Sequence, residues 1–209
     1  DKTLDTIIFL AEDERVLLAL KEKATSFLIK ELYNGTNYEY DYYGKKITEA
    51  SKRICLQFQK EEEYLAALDR ILSKKNLSGY DKRIYTAEKI SILSQKGDTE
   101  GVNKIIDENL EDPELRKIKI QASIEERDLK TAKKLLEEGI KTLTQKGRNQ
   151  NMIKEWKAVL VYIAELEKDI PTIRHYAKEI ALEDKGSIEY YEKWKKTYTE
   201  KQWKEVIEK

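Results

Sequence analysis

Cys55 and His175 are the one cysteine and the one histidine in the chain. Together they could run nucleophilic chemistry, if the imidazole took the thiol proton and the surroundings favoured the thiolate. The local patterns point elsewhere. Cys55 stands in Ile54-Cys55-Leu56 on a predicted helix, a small apolar position that suits a core. His175, between Arg174 and Tyr176, falls on the outer face of its helix. Structural zinc needs four ligands, usually Cys and His, and the chain cannot supply them by itself. Carboxylate doublets are plentiful: Glu61-Glu62-Glu63, Glu125-Glu126, Glu137-Glu138 and Glu183-Asp184. General acid-base work needs two carboxyls in a pocket with pKa values pushed apart, whereas these lie on polar helix faces or in loops beside lysines. No Gly-x-Gly-x-x-Gly and no Gly-Lys-Ser/Thr element occurs to cradle phosphate. The expectation is a non-enzyme with no cofactor, no metal and no small-molecule substrate.

Binding chemistry is better represented. Tyr38, Tyr40, Tyr42 and Tyr43 crowd the segment Thr36–Gly44, which has no helical period and is expected to be a loop. Exposed tyrosines suit recognition because they bury large area with little entropy loss; folded back, the same rings pack on each other. From Pro113 to Gln150 basic residues outnumber acidic ones, with Arg116, Lys117, Lys119, Arg127, Lys130, Lys133 and Lys134 carrying most of the excess. The candidate interaction surface is therefore Tyr38, Tyr40 and Tyr42 together with Arg116, Lys117, Lys119, Gln121 and Lys134. A second aromatic group, Tyr190, Tyr191, Trp194, Tyr198 and Trp203, lies at helical spacing and is expected to form a terminal core.

The elements that must position these residues are announced by a recurring phrase. It reads GDTEGVNKIIDENL from Gly97, RDLKTAKKLLEEGI from Arg127 and KDIPTIRHYAKEIA from Lys168. An Asp (Asp98, Asp128, Asp169) precedes an apolar i, i+3, i+4 triplet: Val102/Ile105/Ile106, Ala132/Leu135/Leu136 and Ile173/Tyr176/Ala177. Looser copies are Leu68/Ile71/Leu72 and Trp203/Val206/Ile207. The Asp is a natural N-cap, since its carboxylate accepts amide hydrogen bonds at the positive end of the helix dipole. Its recurrence is structural, not catalytic.

Around this phrase the spacing predicts helix pairs: 47–59 with 62–74, 81–95 with 98–110, 113–126 with 128–143, 151–166 with 171–182, and 188–198 with 200–207. Upstream, residues 3–33 are helical, broken near Asp13 and stopped by Asn34-Gly35. Ile7, Ile8 and Ala11 share one stripe there; Leu17, Leu20, Ala24, Phe27 and Leu28 share another. The helix opening at Pro113 carries Leu115, Ile118 and Ala122 on one side and Ile120 and Ile124 on the other, which predicts burial on two sides. Such repetition marks an all-α fold, a right-handed α-α superhelix of about five irregular tetratricopeptide-like pairs over 45–209, after N-terminal helices and a tyrosine-rich loop over 1–44.

LEDPELRKIKIQASIEERDLKTAKKLLEEGI, IKEWKAVLVYIAELEKD and IEYYEKWKKTYTEKQWKEVIEK together resemble the C-terminal helical-repeat region of bacterial SWIM zinc finger proteins. The resemblance implies an accessory helical region of a longer protein, acting in protein or nucleic-acid assemblies. The family's zinc ligands form Cys-x-Cys and Cys-x-His, which this sequence lacks, so no ligand carries over. The chain starts at Asp1, with neither Met nor signal peptide, in keeping with a piece of a longer protein.

Composition agrees with this reading. Charged residues make up 38% of the 209, while Gly (8) and Pro (2) are scarce, as in helices with one buried stripe. Forty basic residues balance forty acidic ones, whereas a domain devoted to nucleic acid carries a basic excess. No apolar run is long enough to span a membrane, and a single cysteine excludes an internal disulfide framework. The function expected is a cytoplasmic scaffold for unknown protein partners. The alternative is a nucleic-acid-associated accessory domain using the basic helix-pair surface.

Overall fold

The computed structural model of the protein describes residues 2–34, 42–147, 149–183 and 187–208. Among them the chain forms twelve helices and no strand. They are α1 (Lys2–Glu12), α2 (Leu18–Asn34), α3 (Tyr42–Gln57), α4 (Glu61–Leu72), α5 (Gly79–Gln95), α6 (Thr99–Glu108), α7 (Pro113–Glu125), α8 (Leu129–Gln145), α9 (Gln150–Glu167), α10 (Ile170–Leu182), α11 (Ile188–Lys196) and α12 (Glu200–Ile207). The expected helices are all present, with ends within about five residues of those predicted. Most of the expected loop, through residue 41, lies outside the described residues; its last residues, 42–44, are helical instead, because α3 starts at Tyr42, ahead of a buried Gly44. Glycine is a poor helix former, but tertiary packing overrides its propensity here.

The recurring phrase acts as a double fastening. In each copy the residue before the Asp has a left-handed backbone: Gly97 (φ 73), Arg127 (φ 61) and Lys168 (φ 58). Its amide and the amide of the Asp then close the preceding helix. Asp98 N donates to Leu93 O (2.9 Å), Asp128 N to Ser123 O (2.8 Å) and Asp169 N to Ala164 O (2.8 Å). This is the six-to-one bond of a Schellman motif. The same Asp opens the next helix with its carboxylate, which accepts from Gly101 N (2.8 Å), Thr131 N (3.1 Å) or Thr172 N (3.2 Å). Hydrogen bonds from Thr131 and Thr172 hold the Asp128 and Asp169 carboxyls below their ordinary pKa. One residue therefore satisfies orphan groups of two helices.

Glycine tolerates the left-handed position, whereas Arg127 and Lys168 carry a Cβ there, at roughly 1–2 kcal/mol each. After glycine's greater unfolded-state entropy is discounted, Arg127→Gly and Lys168→Gly should each raise stability by about 0.5–1 kcal/mol. Gly97→Ala should lower it by a similar amount. Urea midpoints of the three variants check this, and a destabilised Arg127→Gly would show that the arginine side chain matters more than its backbone.

The chain divides into two compact units, Asp1–Ile105 and Ile106–Lys209. In the first, α2 packs on α1, α3 and α4, and α4 packs on α5. Its core contains Leu28, Leu32, Ile54, Tyr64 and Leu68, none of them exposed. The face of α2 that goes inward differs from the predicted stripe. Ala24 and Leu28 are buried, but Leu17, Leu20 and Phe27 are exposed, and Lys21, Thr25, Ile29 and Leu32 take the inner face. Apolar residues lie all around this helix, so its period alone admits two faces. Asp13 ends α1 as expected. Its carboxylate accepts from Arg15 N (2.8 Å) and Arg15 Nη2 (2.6 Å), and the arginine holds its pKa down to about 2.

In the second unit, α8 packs on α7 and α9, and α10 packs on α9 and α11. One core gathers Ile120, Leu135, Leu136, Ile153, Trp156 and Leu160; another gathers Val161, Ile173, Ala177, Ile180, Trp194 and Trp203. The triplets of the phrase are inside as predicted, with Ala132, Leu136 and Ala177 wholly buried and Tyr176 half-buried. Val206 also packs on the core, but Ile207 is exposed. The aromatic group near the C-terminus is the expected terminal core. The Trp194 and Trp203 rings meet edge to face at 4.7 Å, with Tyr191 at 5.4 Å and Tyr198 at 5.8 Å from Trp203.

Candidate functional site

The predicted basic surface is built by α7 and α8, and the structure divides its residues between core and solvent. α7 starts on Asp112, whose carboxylate accepts from Glu114 N (2.9 Å), with Pro113 in the first turn where no amide bond is lost. Its inner face is Arg116, Ile120 and Ser123, with Ile124 half-buried beside them, while Ile118 is half exposed. On the second predicted face Leu115 and Ala122 are half-buried and only Ile118 is exposed, so the two-sided burial read from the pattern holds in part. Arg116 competes for the interior because two of its nitrogens find backbone carbonyls there.

Arg116 Nε donates to Leu110 O (2.9 Å), Nη1 donates to Leu135 O (3.0 Å), and Glu138 lies 3.6 Å away. A buried charge held by carbonyls and a carboxylate is a structural bolt, because breaking it strands polar groups. The side chain runs beside Gly139 and Trp156: a Cβ added at Gly139 would stand 2.2 Å from the Trp156 ring and 2.8 Å from Arg116 Cδ. Glycine is required there for the close approach of α8 to α9.

Two of the other predicted cations, Lys119 and Lys133, are closely paired, and Lys134 only loosely. Lys119 Nζ lies 3.0 Å from Asp107, Lys133 Nζ lies 2.5 Å from Glu167, and Lys134 is 4.0 Å from Glu138. Gln121 Nε2 donates to Glu125 (2.8 Å) along its own helix. Lys117 and Lys134 remain exposed, as do Arg127 and Lys130. The surface therefore presents a few scattered charges in place of a continuous basic stripe. Tyr38 and Tyr40 lie outside the described residues, and so does the side chain of Tyr42, the first residue of α3.

An open cleft of about 480 Å³ lies along α9 and α10, lined by Lys157, His175, Lys178, Glu179, Leu182 and Glu183. Lys157 Nζ sits 3.1 Å from Glu179 and 3.0 Å from Glu183. Burial opposes its charge, but the two carboxylates outweigh burial and hold it above the ordinary lysine pKa. An ammonium so held is neither nucleophile nor base. His175 Nε2 lies 3.6 Å from the other Glu179 oxygen, on an exposed side chain. Cys55 is buried in the core of the first unit, and burial pushes its thiol up to about 12, which disfavours the thiolate. Of the carboxylate doublets, Glu62 pairs with Lys96 and Glu63 with Lys60, while Asp184 lies outside the described residues. Among the described residues no group of three His, Cys, Asp or Glu could hold a metal ion.

Two features were passed over by the sequence reading. One is Lys157 of α9, whose two carboxylates come from α10 and its C-cap and so leave no local signature. The other is Lys21, which did leave one: it precedes Ala24, Leu28 and Leu32 by three, seven and eleven positions. A lysine in the core register of a helix is a buried cation announced in advance. Comparison with protein-family models, with curated proteins and with solved structures finds no match to this chain.

Proposed function

We propose that the chain is a right-handed α-α superhelix of about five irregular, tetratricopeptide-like helix pairs that serves as a non-catalytic scaffold for protein–protein interaction within a larger protein. The observation that carries this reading is the fastening repeated at Gly97-Asp98, Arg127-Asp128 and Lys168-Asp169, with the same backbone bonds and the same core register each time. Repetition of that kind specifies architecture and leaves the outward positions, Lys104, Lys134 and His175, free to differ. The larger protein in this reading is one of the kind that LEDPELRKIKIQASIEERDLKTAKKLLEEGI, IKEWKAVLVYIAELEKD and IEYYEKWKKTYTEKQWKEVIEK resemble, a bacterial SWIM zinc finger protein with a C-terminal helical-repeat region. A cytoplasmic setting goes with the lone, buried Cys55, and no helix among the described residues is long and apolar enough to cross a membrane. A nucleic-acid partner is the lesser reading, because Lys119 and Lys133 are already paired with Asp107 and Glu167.

Affinity capture tests the proposal, with the immobilised chain compared to a Lys117→Glu/Lys134→Glu variant at near-physiological salt, with and without nuclease. The expected result is a protein retained by the wild-type chain, resistant to nuclease and weakened in the variant. Retention that disappears with nuclease, and falls steeply with salt, assigns the surface to nucleic acid instead. Retention of nothing by the chain, where the whole parent protein retains a partner, overturns it.

A further inference from the structure

Unpaired cations, sparse on the α7–α8 surface, gather at the far end of α8. No carboxylate occurs from Gly139 to Lys154, the longest acid-free run in the chain. That run spans the corner where α8 gives way to α9. Lys141 precedes the end of α8 by one turn, Lys146 is its C-cap, and Lys154 lies one turn into α9. The two helices are joined here through Leu143 and Ile153, which share one core. Lys146 N donates to Thr142 O (3.2 Å), and Gly147 (φ 60) makes the left-handed turn that follows.

Two properties of this corner select its partner. Its charge is uncompensated: among the described residues none of Lys141, Lys146 and Lys154 forms an ion pair, whereas Lys119 and Lys133 do. The nearest acids along the chain are Glu138, which faces Arg116 at 3.6 Å, and Glu155, exposed at the edge. Its surface is also uniformly polar. Every described residue from Thr144 to Asn151 is exposed, and all are Thr, Gln, Lys, Gly or Asn. A protein partner needs an apolar or aromatic anchor, and unpaired bases need a ring to stack on. The corner offers neither. Lysines, side-chain amides and hydroxyls are instead the groups that contact the phosphate oxygens of nucleic acids.

We propose that the α8–α9 corner docks the phosphodiester backbone of a nucleic-acid duplex and reads no base sequence. Lys141, Lys146 and Lys154 supply the charge, with Gln145, Asn149 and Gln150 beside them. The chain as a whole is balanced in charge, so the contact is local and modest, neutralising about three phosphates. The surface at Lys117 and Lys134 stays with the protein partner, and the two assignments stand or fall separately.

Fluorescence anisotropy of a fluorescein-labelled, mixed-sequence DNA duplex titrated with the whole chain tests this. Saturable binding is expected, with a Kd on the order of 0.1 mM at physiological salt and a slope of log K against log salt of roughly −3. Lys141→Gln/Lys146→Gln should flatten the slope to roughly −1 and weaken binding at low salt at least about tenfold. Both side chains are exposed, so the fold should survive, which circular dichroism checks. The charge-matched control Lys23→Gln/Lys30→Gln, at exposed positions of α2, should leave affinity and slope unchanged. Absence of saturable binding at low salt, or a slope indifferent to Lys141→Gln/Lys146→Gln, overturns the assignment. Tighter binding of labelled polyglutamate than of the duplex overturns it too, and gives the corner to an acidic protein.

Discussion

Gly139→Ala is expected to destabilise the protein by about 2 kcal/mol, although alanine is the better helix former by about 1 kcal/mol. On an exposed face of α8 the substitution would stabilise. At Gly139 the new methyl would lie 2.2 Å from Cζ3 of Trp156 and 2.8 Å from Cδ of Arg116. Neither neighbour can yield cheaply. Trp156 is 4% exposed within the core, and Arg116 is tied to Leu110 O and Leu135 O. Relief requires α8 and α9 to move apart or the arginine bolt to break, and overpacking of this kind costs roughly 1–3 kcal/mol net. Trp156→Phe withdraws the outer ring edge, so the pair Gly139→Ala/Trp156→Phe should lose less than the sum of its parts. Urea unfolding of the single and double variants measures this coupling. A neutral or stabilising Gly139→Ala would contradict the close approach.

Trp203→Ala should release α12 altogether. The helix has eight residues, and Trp203 is its one buried side chain among the described residues. Its capping box, in which Thr199 and Gln202 exchange bonds with each other's backbone, satisfies the first turn but buries nothing. So short a helix does not persist in water on propensity. The indole packs on Trp194, Tyr191 and Tyr198, and Tyr198 is covered in turn by the Arg174 guanidinium at 3.8 Å. Truncation of such a residue removes about 3–5 kcal/mol, more than eight residues of helix can return. Local detachment is therefore the outcome. Hydrogen exchange should show the 200–207 amides almost unprotected in Trp203→Ala and still protected in Trp203→Phe. Persistent protection in the alanine variant would mean that something besides the indole holds α12.

Residue types and spacing were enough for the all-helical class, the order of the helices and the capping role of Asp98, Asp128 and Asp169. Each of these depends on neighbours within a turn or two of helix, and such information is local. The terminal core of Trp194 and Trp203 was legible for the same reason, since a run of rings at helical spacing must be covered.

What stayed hidden required partners from other elements. α2 carries apolar residues on two faces, and packing against α1, α3 and α4 chose the face with Lys21 over the one with Leu20 and Phe27. Arg116 counted as a surface cation by type, until carbonyls at Leu110 and Leu135 made its burial tolerable. Local pattern can say that a helix has an inner side. Which side it is, and which charges go with it, depends on whether polar groups far apart in the chain arrive to satisfy one another, and that is decided only when the helices pack.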